Sequence, residues 1–403
     1  MIGNVIIVGG GIAGIATAAA LRSGGFVGDL TLVDAGEFPY DRPPLSKHFL
    51  AGKKHHSEIA LQPAQWYDDN KVRLIARSQV TALRPDTGEV ELRDGTTLSA
   101  DRVVLATGGR AAQPPIPGGE SSLVHVLRST TDAERLRDAL QPGARVLVVG
   151  AGLIGAEVAS TAVDLGCAVT LVDPVSPPLS GTLGAEIATW LHSRHTERGV
   201  TTLRASVKAL RDTVSGIRAD LGSTDTHTFD AVVLGVGMVP ATELAEAAGL
   251  EVDRGIVVDS TQTTSNPAVL AVGDPTRTRL DGVLLPRAEH WEAAQHDGQR
   301  AAATILGTPP PPTTASWFWT DRHGVHVEVV GDMAAAQHTV LRGTVGDLPF
   351  AAFGLTGTRV VGAVGANDAA AIRAARRLID RNIEVRADQL ADTGTDLRRL
   401  LRG

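Results

Sequence analysis

The apolar residues of this chain fall in short uninterrupted runs, and the runs end on glycine. Residues 5–8, "VIIV", lead into "GGGIAG", and residues 146–149, "VLVV", lead into "GAGLIG". Unbroken runs of Val, Ile and Leu read as strands of a parallel sheet buried on both faces. Each is followed by a small-residue stretch with helical character and then by a second strand ending on an acid. These strands are "LTLVD", closing on Asp34, and "AVTLVD", closing on Asp173. Two more buried strands break into glycine turns, "RVVLATGGR" at 102–110 and "AVVLGVG" at 231–237. Before each lies a segment of alternating polarity with turn residues, "VTALRPDTGEVELRDGTTL" and "IRADLGSTDTHTFD", which predicts hairpins.

The turns carry chemistry. Gly9, Gly11 and Gly14 follow G-x-G-x-x-G, and so do Gly150, Gly152 and Gly155. In this spacing the first glycine allows a tight turn, the second lets a pyrophosphate approach the backbone, and the third lets helix pack on strand. The helix N-terminus then faces the phosphates. Asp34 and Asp173 stand where an acid binds a ribose. A single such motif is weak evidence. Two copies, each with strand, helix, second strand and terminal acid, predict two dinucleotide-binding folds. "TSNPAVLAVGDPT" adds Asp274 at the end of another apolar strand, either as a carboxylate toward the ribityl part of a flavin or as a turn or capping residue.

Length and composition narrow the class. A chain of 403 residues predicts two or three domains. A net charge of −7 gives no global nucleic-acid footprint, and no apolar run is long enough for a bilayer span. The N-terminus enters directly into a buried strand rather than a signal peptide, so a cytoplasmic protein is expected. The single cysteine, Cys167, stands at the entry to an apolar strand and reads as a buried structural thiol. Intramolecular disulfides are excluded by count. "KKHH" at 53–56 reads as solvated surface without a third ligand, and no metal is expected.

Between the first two folds lies "PYDRPPLSK", residues 39–47, rich in proline and cationic. Its prolines set the backbone and lower the entropy lost on ordering. The segment reads as a stiff loop that presents Arg42 and Lys47, or as a solvated proline loop. With this stretch, "RAEHWEAAQHDGQRAAATILG" (287–307), "SWFWTD" (316–321), "ATGGR", "LRSTTDAERLR" and "VGAVGANDAAAIRAARRLI", the chain resembles the FAD-dependent, NADH-linked ferredoxin reductases of bacterial oxygenase systems over essentially its whole length.

The resemblance implies an α/β architecture of two Rossmann-like, glutathione-reductase-like dinucleotide-binding domains and a C-terminal α+β domain. The FAD domain is discontinuous, 1–112 and 241–315. The NAD domain is 113–240 and the C-terminal domain 316–403. It implies Lys47 near the flavin N5, facing Glu157, as the catalytic pair. For FAD it implies Gly9, Gly11, Ala13, Gly14, Asp34, Arg42, Lys47, Val80, Ala106, Thr107, Gly108, Arg128, Asp274, Trp291 and Trp319. For NADH it implies Gly150, Gly152, Ile154, Gly155, Glu157, Asp173 and Gly237. For both tryptophans the residues alone suggest core packing.

The activity implied is electron transfer from NADH through FAD to a 2Fe–2S ferredoxin that serves an oxygenase, by a monomer or weak homodimer. A disulfide or peroxide reductase on this scaffold needs a cysteine at the flavin, and the loop supplies none. A monodehydroascorbate-reductase-like enzyme shares a closely similar loop. A signalling flavoprotein resembling apoptosis-inducing factor would show a charge-transfer band persisting in air. An acidic ferredoxin needs a basic face. Residues 41–77 and 371–403 each carry +3, leaving −13 for the rest of the chain. Docking is expected at Arg373, Arg376 and Arg377, whereas Arg398, Arg399 and Arg402 read as a solvated helix face.

Overall fold

A computed structural model describes residues 2–222 and 227–402, with the backbone alone at Arg402. The turn of the second predicted hairpin, 223–226, and the side chain of Arg402 lie outside the described residues. The chain divides into two compact units. One comprises residues Met1–Arg42, His55–Arg110 and Met238–Pro312; the other comprises Pro43–Lys54, Ala111–Gly237 and Thr313–Gly403.

The first unit is built on a five-stranded parallel sheet. In space its strands run Val269–Ala271, Arg102–Leu105, Asn4–Val8, Asp29–Val33, Val72–Ile75. The predicted hairpin segment forms a three-stranded antiparallel sheet, Val80–Arg84, Glu89–Leu92 and Thr97–Ser99, packed on one face. Helices Ile12–Ser23 and Trp291–Leu306 cover the other. The small residues of "IAGIATAAALRS" have a packing reason. A Cβ on Gly298 would stand 2.6 Å from the Ala13 carbonyl and 2.8 Å from the Thr17 nitrogen, so the helices meet backbone to backbone.

The second unit repeats the plan. Its parallel sheet runs Val124–Val126, Ala231–Leu234, Arg145–Val149, Ala168–Asp173, Thr201–Arg204. The central strands pair as in the first unit, but the outermost strand comes before the glycine turn in sequence instead of long after it. An antiparallel trio, Ala209–Thr213, Gly216–Asp220 and His227–Phe229, covers this sheet. The rest of the unit is a five-stranded antiparallel sheet carrying helix Ala369–Asp380 on one face. That helix buries Ala371, Ile372, Ala374, Ala375 and Leu378, a spacing that turns one stripe inward.

Residues 43–46 depart from the predicted loop. Pro43–Ser46 is a 3-10 turn with Leu45 and Ser46 buried, followed by buried Phe49 and Leu50. Proline suits the first positions of a helical turn because its φ is preset and its missing N–H has no partner there.

Candidate functional site

Each unit presents one dinucleotide turn. In the first, helix Ile12–Ser23 begins at Gly11 without a side-chain cap, so its leading N–H groups face outward from the turn. A Cβ on Gly14 would stand 2.0 Å from the Gly9 carbonyl oxygen, which forces glycine where helix meets strand. At Gly11 the same atom would meet only the Arg42 guanidinium, at 2.9 Å. Arg42 therefore stands over the phosphate turn. Asp34 accepts from the Gly10 N–H and, at 2.6 Å, from the Gly36 N–H.

The second turn is the counterpart. Helix Leu153–Asp164 starts uncapped at Gly152, where a Cβ would find nothing within 4 Å. Gly155 packs as Gly14 does, with 1.9 Å to the Gly150 carbonyl. Asp173 accepts from the Ala151 and Val175 N–H groups, both at 2.8 Å. Ile154 lies exposed in the first helical turn, and Gly237 has φ +104° with open space around it. Uncapped helix starts, open second glycines and a guanidinium at one turn fit two pyrophosphates.

The other predicted residues of the first unit are placed as follows. Ala106 N donates to the Val8 carbonyl, Thr107 donates to the Ala241 carbonyl at 2.8 Å, and Ala241 N donates to the Gly108 carbonyl. Ala13 approaches Gly273, next to Asp274. Trp291, first residue of its helix, donates from Nε1 to Asp41 at 2.7 Å. Val80 opens its hairpin strand.

Asp297, which sequence reasoning passed over, stands beside Asp274 and accepts from the Gly273 N–H at 3.2 Å. Burial pushes its carboxyl up to about 6, with Arg300 and the Gly273 N–H opposing and Asp274 adding to the rise. In the second unit Arg128 precedes a helix capped by Ser129 and Asp132.

The second unit also holds a charged cluster around Glu157. Its carboxylate is almost fully buried and is ringed by donors. Ser46 Oγ reaches Oε2 at 2.5 Å, while Lys47 Nζ (3.2 Å), Thr320 Oγ1 (2.9 Å) and the Asp321 N–H (3.0 Å) converge on Oε1. Thr161 donates to the Ser46 carbonyl at 2.8 Å, and Arg137 donates to the Phe49 and Leu50 carbonyls. These contacts clamp the proline turn and aim Lys47. Lys47 is shared with a second carboxylate, Asp321 Oδ2, at 2.9 Å, and lies 5.6 Å from the centroid of the Trp319 ring.

Burial opposes the charge on Asp321, but hydrogen bonds from His326 and Lys47 outweigh it and hold the carboxyl below its usual range. Arg322 adds a buried cation; burial pushes it down to about 10 while Glu157 opposes the shift.

Sequence reasoning found Lys47, Glu157 and Trp319 but missed Ser46, Thr320 and Asp321. Strand alternation could have pointed to Asp321, because Trp317, Trp319 and Asp321 share one face of the strand Trp317–Arg322. Cys167 is buried, with its thiol pushed up by burial. Among the described residues no group of three or more His, Cys, Asp or Glu is placed to hold a metal. The basic segments are partly consumed. Arg42 and Lys47 belong to the sites above and Arg77 pairs with Glu37. Arg376 is half-buried against Thr314 and Asp380, whereas Arg373 and Arg377 are exposed.

Two dinucleotide folds with a lysine held between carboxylates define a flavin- and nicotinamide-dependent oxidoreductase. Residues 3–298 match the pyridine nucleotide-disulphide oxidoreductase family and residues 317–401 the reductase C-terminal family. The chain belongs to the pyridine nucleotide-disulphide oxidoreductase family, and its cofactors are FAD and NAD(H). Rhodocoxin reductase of Rhodococcus erythropolis is 35% identical, over 98% of this chain and 93% of its own. The ferredoxin–NAD(+) reductase component of the anthranilate 1,2-dioxygenase system of Burkholderia cepacia is 38% identical over 98% of both chains. In the crystal structure of a covalent putidaredoxin reductase–putidaredoxin complex, one chain superposes with a TM-score of 0.93 at 32% identity, covering 99% of this chain and 98% of that one.

Proposed function

We propose that this chain is the reductase of an oxygenase system, carrying electrons from NADH through FAD to a 2Fe–2S ferredoxin. The observation that carries the reading is Lys47, held by Glu157 and Asp321 on a clamped turn with no cysteine in it. When bound, FAD accepts a hydride and releases electrons one at a time. Residues 1–112 and 241–315 bind FAD, residues 113–240 bind NADH, and residues 316–403 complete the flavin's surroundings. Arg42 neutralises pyrophosphate charge at Gly11, and Asp34 orders the turn. Asp173 holds the second turn and faces the adenosine ribose of NADH. Lys47 is the cation beside the flavin ring, and Glu157 holds it there. Trp319 packs beside the ring and Trp291 over its pyrimidine edge.

The protein works as a monomer or weak homodimer in the cytoplasm. Among the described residues no helix is long and apolar enough to cross a membrane.

The test is NADH-dependent cytochrome c reduction by the FAD-loaded protein, with and without an added 2Fe–2S ferredoxin. A rate that rises and saturates with ferredoxin is expected. A rate indifferent to every ferredoxin tried, with rapid reduction of monodehydroascorbate instead, would favour the ascorbate-type reading of the same loop.

A further inference from the structure

The cluster does not end at Asp321. Its Oδ1 lies 2.6 Å from His326 Nδ1, and His326 Nε2 lies 3.9 Å from Glu328 Oε2. The strand register explains this row. Asp321 pairs with His326 and Trp319 with Glu328 across two antiparallel strands, so their side chains share one face. Exposure rises along the row as far as His326 and falls to 11% at Glu328. The side chains of Glu157 and Lys47 are 6% and 13% exposed, and those of Asp321 and His326 are 40% and 43%. A chain of contacts thus runs from a buried carboxylate to an imidazole in water. The His326 backbone is tied to a neutral partner: its N–H donates to Asn367 Oδ1 and its carbonyl accepts from the Asn367 N–H.

Counting charges gives the row a function. One ammonium faces two carboxylates, so Lys47, Glu157 and Asp321 together carry −1, and the buried Arg322 cation near Glu157 and the Glu328 carboxylate at the far end of the row add one charge of each sign. Hydride transfer brings two electrons and one proton, and therefore adds one more negative charge beside Lys47. We propose that Asp321 and His326 are positioning residues that couple cofactor reduction to proton uptake: His326 protonates as the charge arrives, and Asp321 passes that compensation to Lys47. Over a full cycle NADH and two oxidised ferredoxins give NAD+, two reduced ferredoxins and one proton. The proton borrowed by His326 returns to water when the electrons leave. The inference rests on the reading that places Lys47 beside FAD.

The test is the midpoint potential of the bound flavin as a function of pH, by spectroelectrochemistry, in wild type, His326→Gln, His326→Lys and Lys47→Met. For a two-electron couple each proton taken up contributes about 30 mV per pH unit. Wild type is expected to approach a two-proton slope of about 60 mV wherever reduction brings a proton onto the imidazole. Both His326 variants should fall toward about 30 mV, with the lysine variant at the higher potential because its charge is permanent. Protons taken up by the ring itself contribute equally in every variant. NMR of the His326 imidazole, oxidised against reduced, reports the same uptake directly.

If Lys47→Met leaves the potential unmoved, Lys47 is not at the flavin and the functional reading fails. If Lys47→Met shifts it while both His326 variants keep the wild-type slope and the imidazole titrates identically in both redox states, the coupling is overturned and the reading stands.

Discussion

Replacing Lys47 by methionine removes one cation from between two carboxylates and leaves both dinucleotide turns intact. FAD should stay bound, since the proposed pyrophosphate site at the glycine turn and Arg42 is untouched by the substitution. Flavin reduction by NADH should slow by about 100-fold, the scale on which one preorganised charge-stabilising donor acts. Rapid-mixing absorbance measures it, and an unchanged rate with the flavin fully loaded would place Lys47 elsewhere. In the proposed reading Asp173 sets the choice of donor. Its two oxygens are fixed by the Ala151 and Val175 N–H groups, so its charge cannot swing away from a 2′-phosphate. NADH should be preferred over NADPH by ~10-fold to ~1000-fold in kcat/KM, a few kcal/mol of discrimination. Equal specificity constants would rule this out.

Where elements meet, the contact between helix Ala185–Glu197 and the turn after strand Trp317–Arg322 carries a pH dependence. His195 Nδ1 and His323 Nε2 lie 2.8 Å apart. Burial, then Arg322, pushes His195 down to about 2, and burial, then Arg198, pushes His323 down to about 4. Both folded values lie below the unfolded one, so the unfolded chain binds protons first as pH falls. The stability this contact contributes is full above pH ~6.5 and is lost as pH falls, the His323 share of about 1–3 kcal/mol going by pH ~4 and the His195 share below that. Asp297 works the other way. Its raised value makes the fold less stable as pH rises from about 4 to about 6. A variant isolates the histidine contribution: urea midpoints at pH 7.5 and pH 5 should differ less for His323→Gln than for wild type. An identical pH response in the two proteins would remove the histidine pair as its source.

At the scale of the whole molecule, a net charge of −7 opposes an acidic ferredoxin, so association depends on where the positive charge lies. Arg376 is engaged with Thr314 and Asp380, and reversing its charge would disturb helix packing as well as docking. Arg373 and Arg377 are the better probes of the same helix. Changing both to glutamate should raise the KM for ferredoxin and leave NADH–ferricyanide activity unaltered. The wild-type advantage should fade with salt as the screening length drops from ~10 Å at 0.1 M toward ~3 Å at 1 M. An unchanged ferredoxin KM and salt response would move the docking face away from this helix.

Gly9, Gly11 and Gly14, Gly150, Gly152 and Gly155, and the apolar runs before them were legible as two dinucleotide folds because turn geometry and strand periodicity are local properties. Each needs only a few neighbouring residues to be satisfied. Cys167 was readable for the same reason, as a small apolar residue at the start of a buried strand. The donors around Glu157 come from Ser46, Lys47, Thr320 and Asp321, more than a hundred residues away on either side, and no local pattern records that they meet. Pro43–Ser46 could be read as stiff, but only the burial of Leu45 and Ser46 decides that it is a clamped turn and not a solvated loop. The same holds for "IAGIATAAALRS", whose small residues are explained by Gly298 of a helix nearly three hundred residues later. Arg376 matches Arg373 and Arg377 in sequence and differs from them only in what packs against it. The chain by itself determined which elements form; side-chain convergence, which depends on contacts distant in sequence, was decided by the tertiary structure.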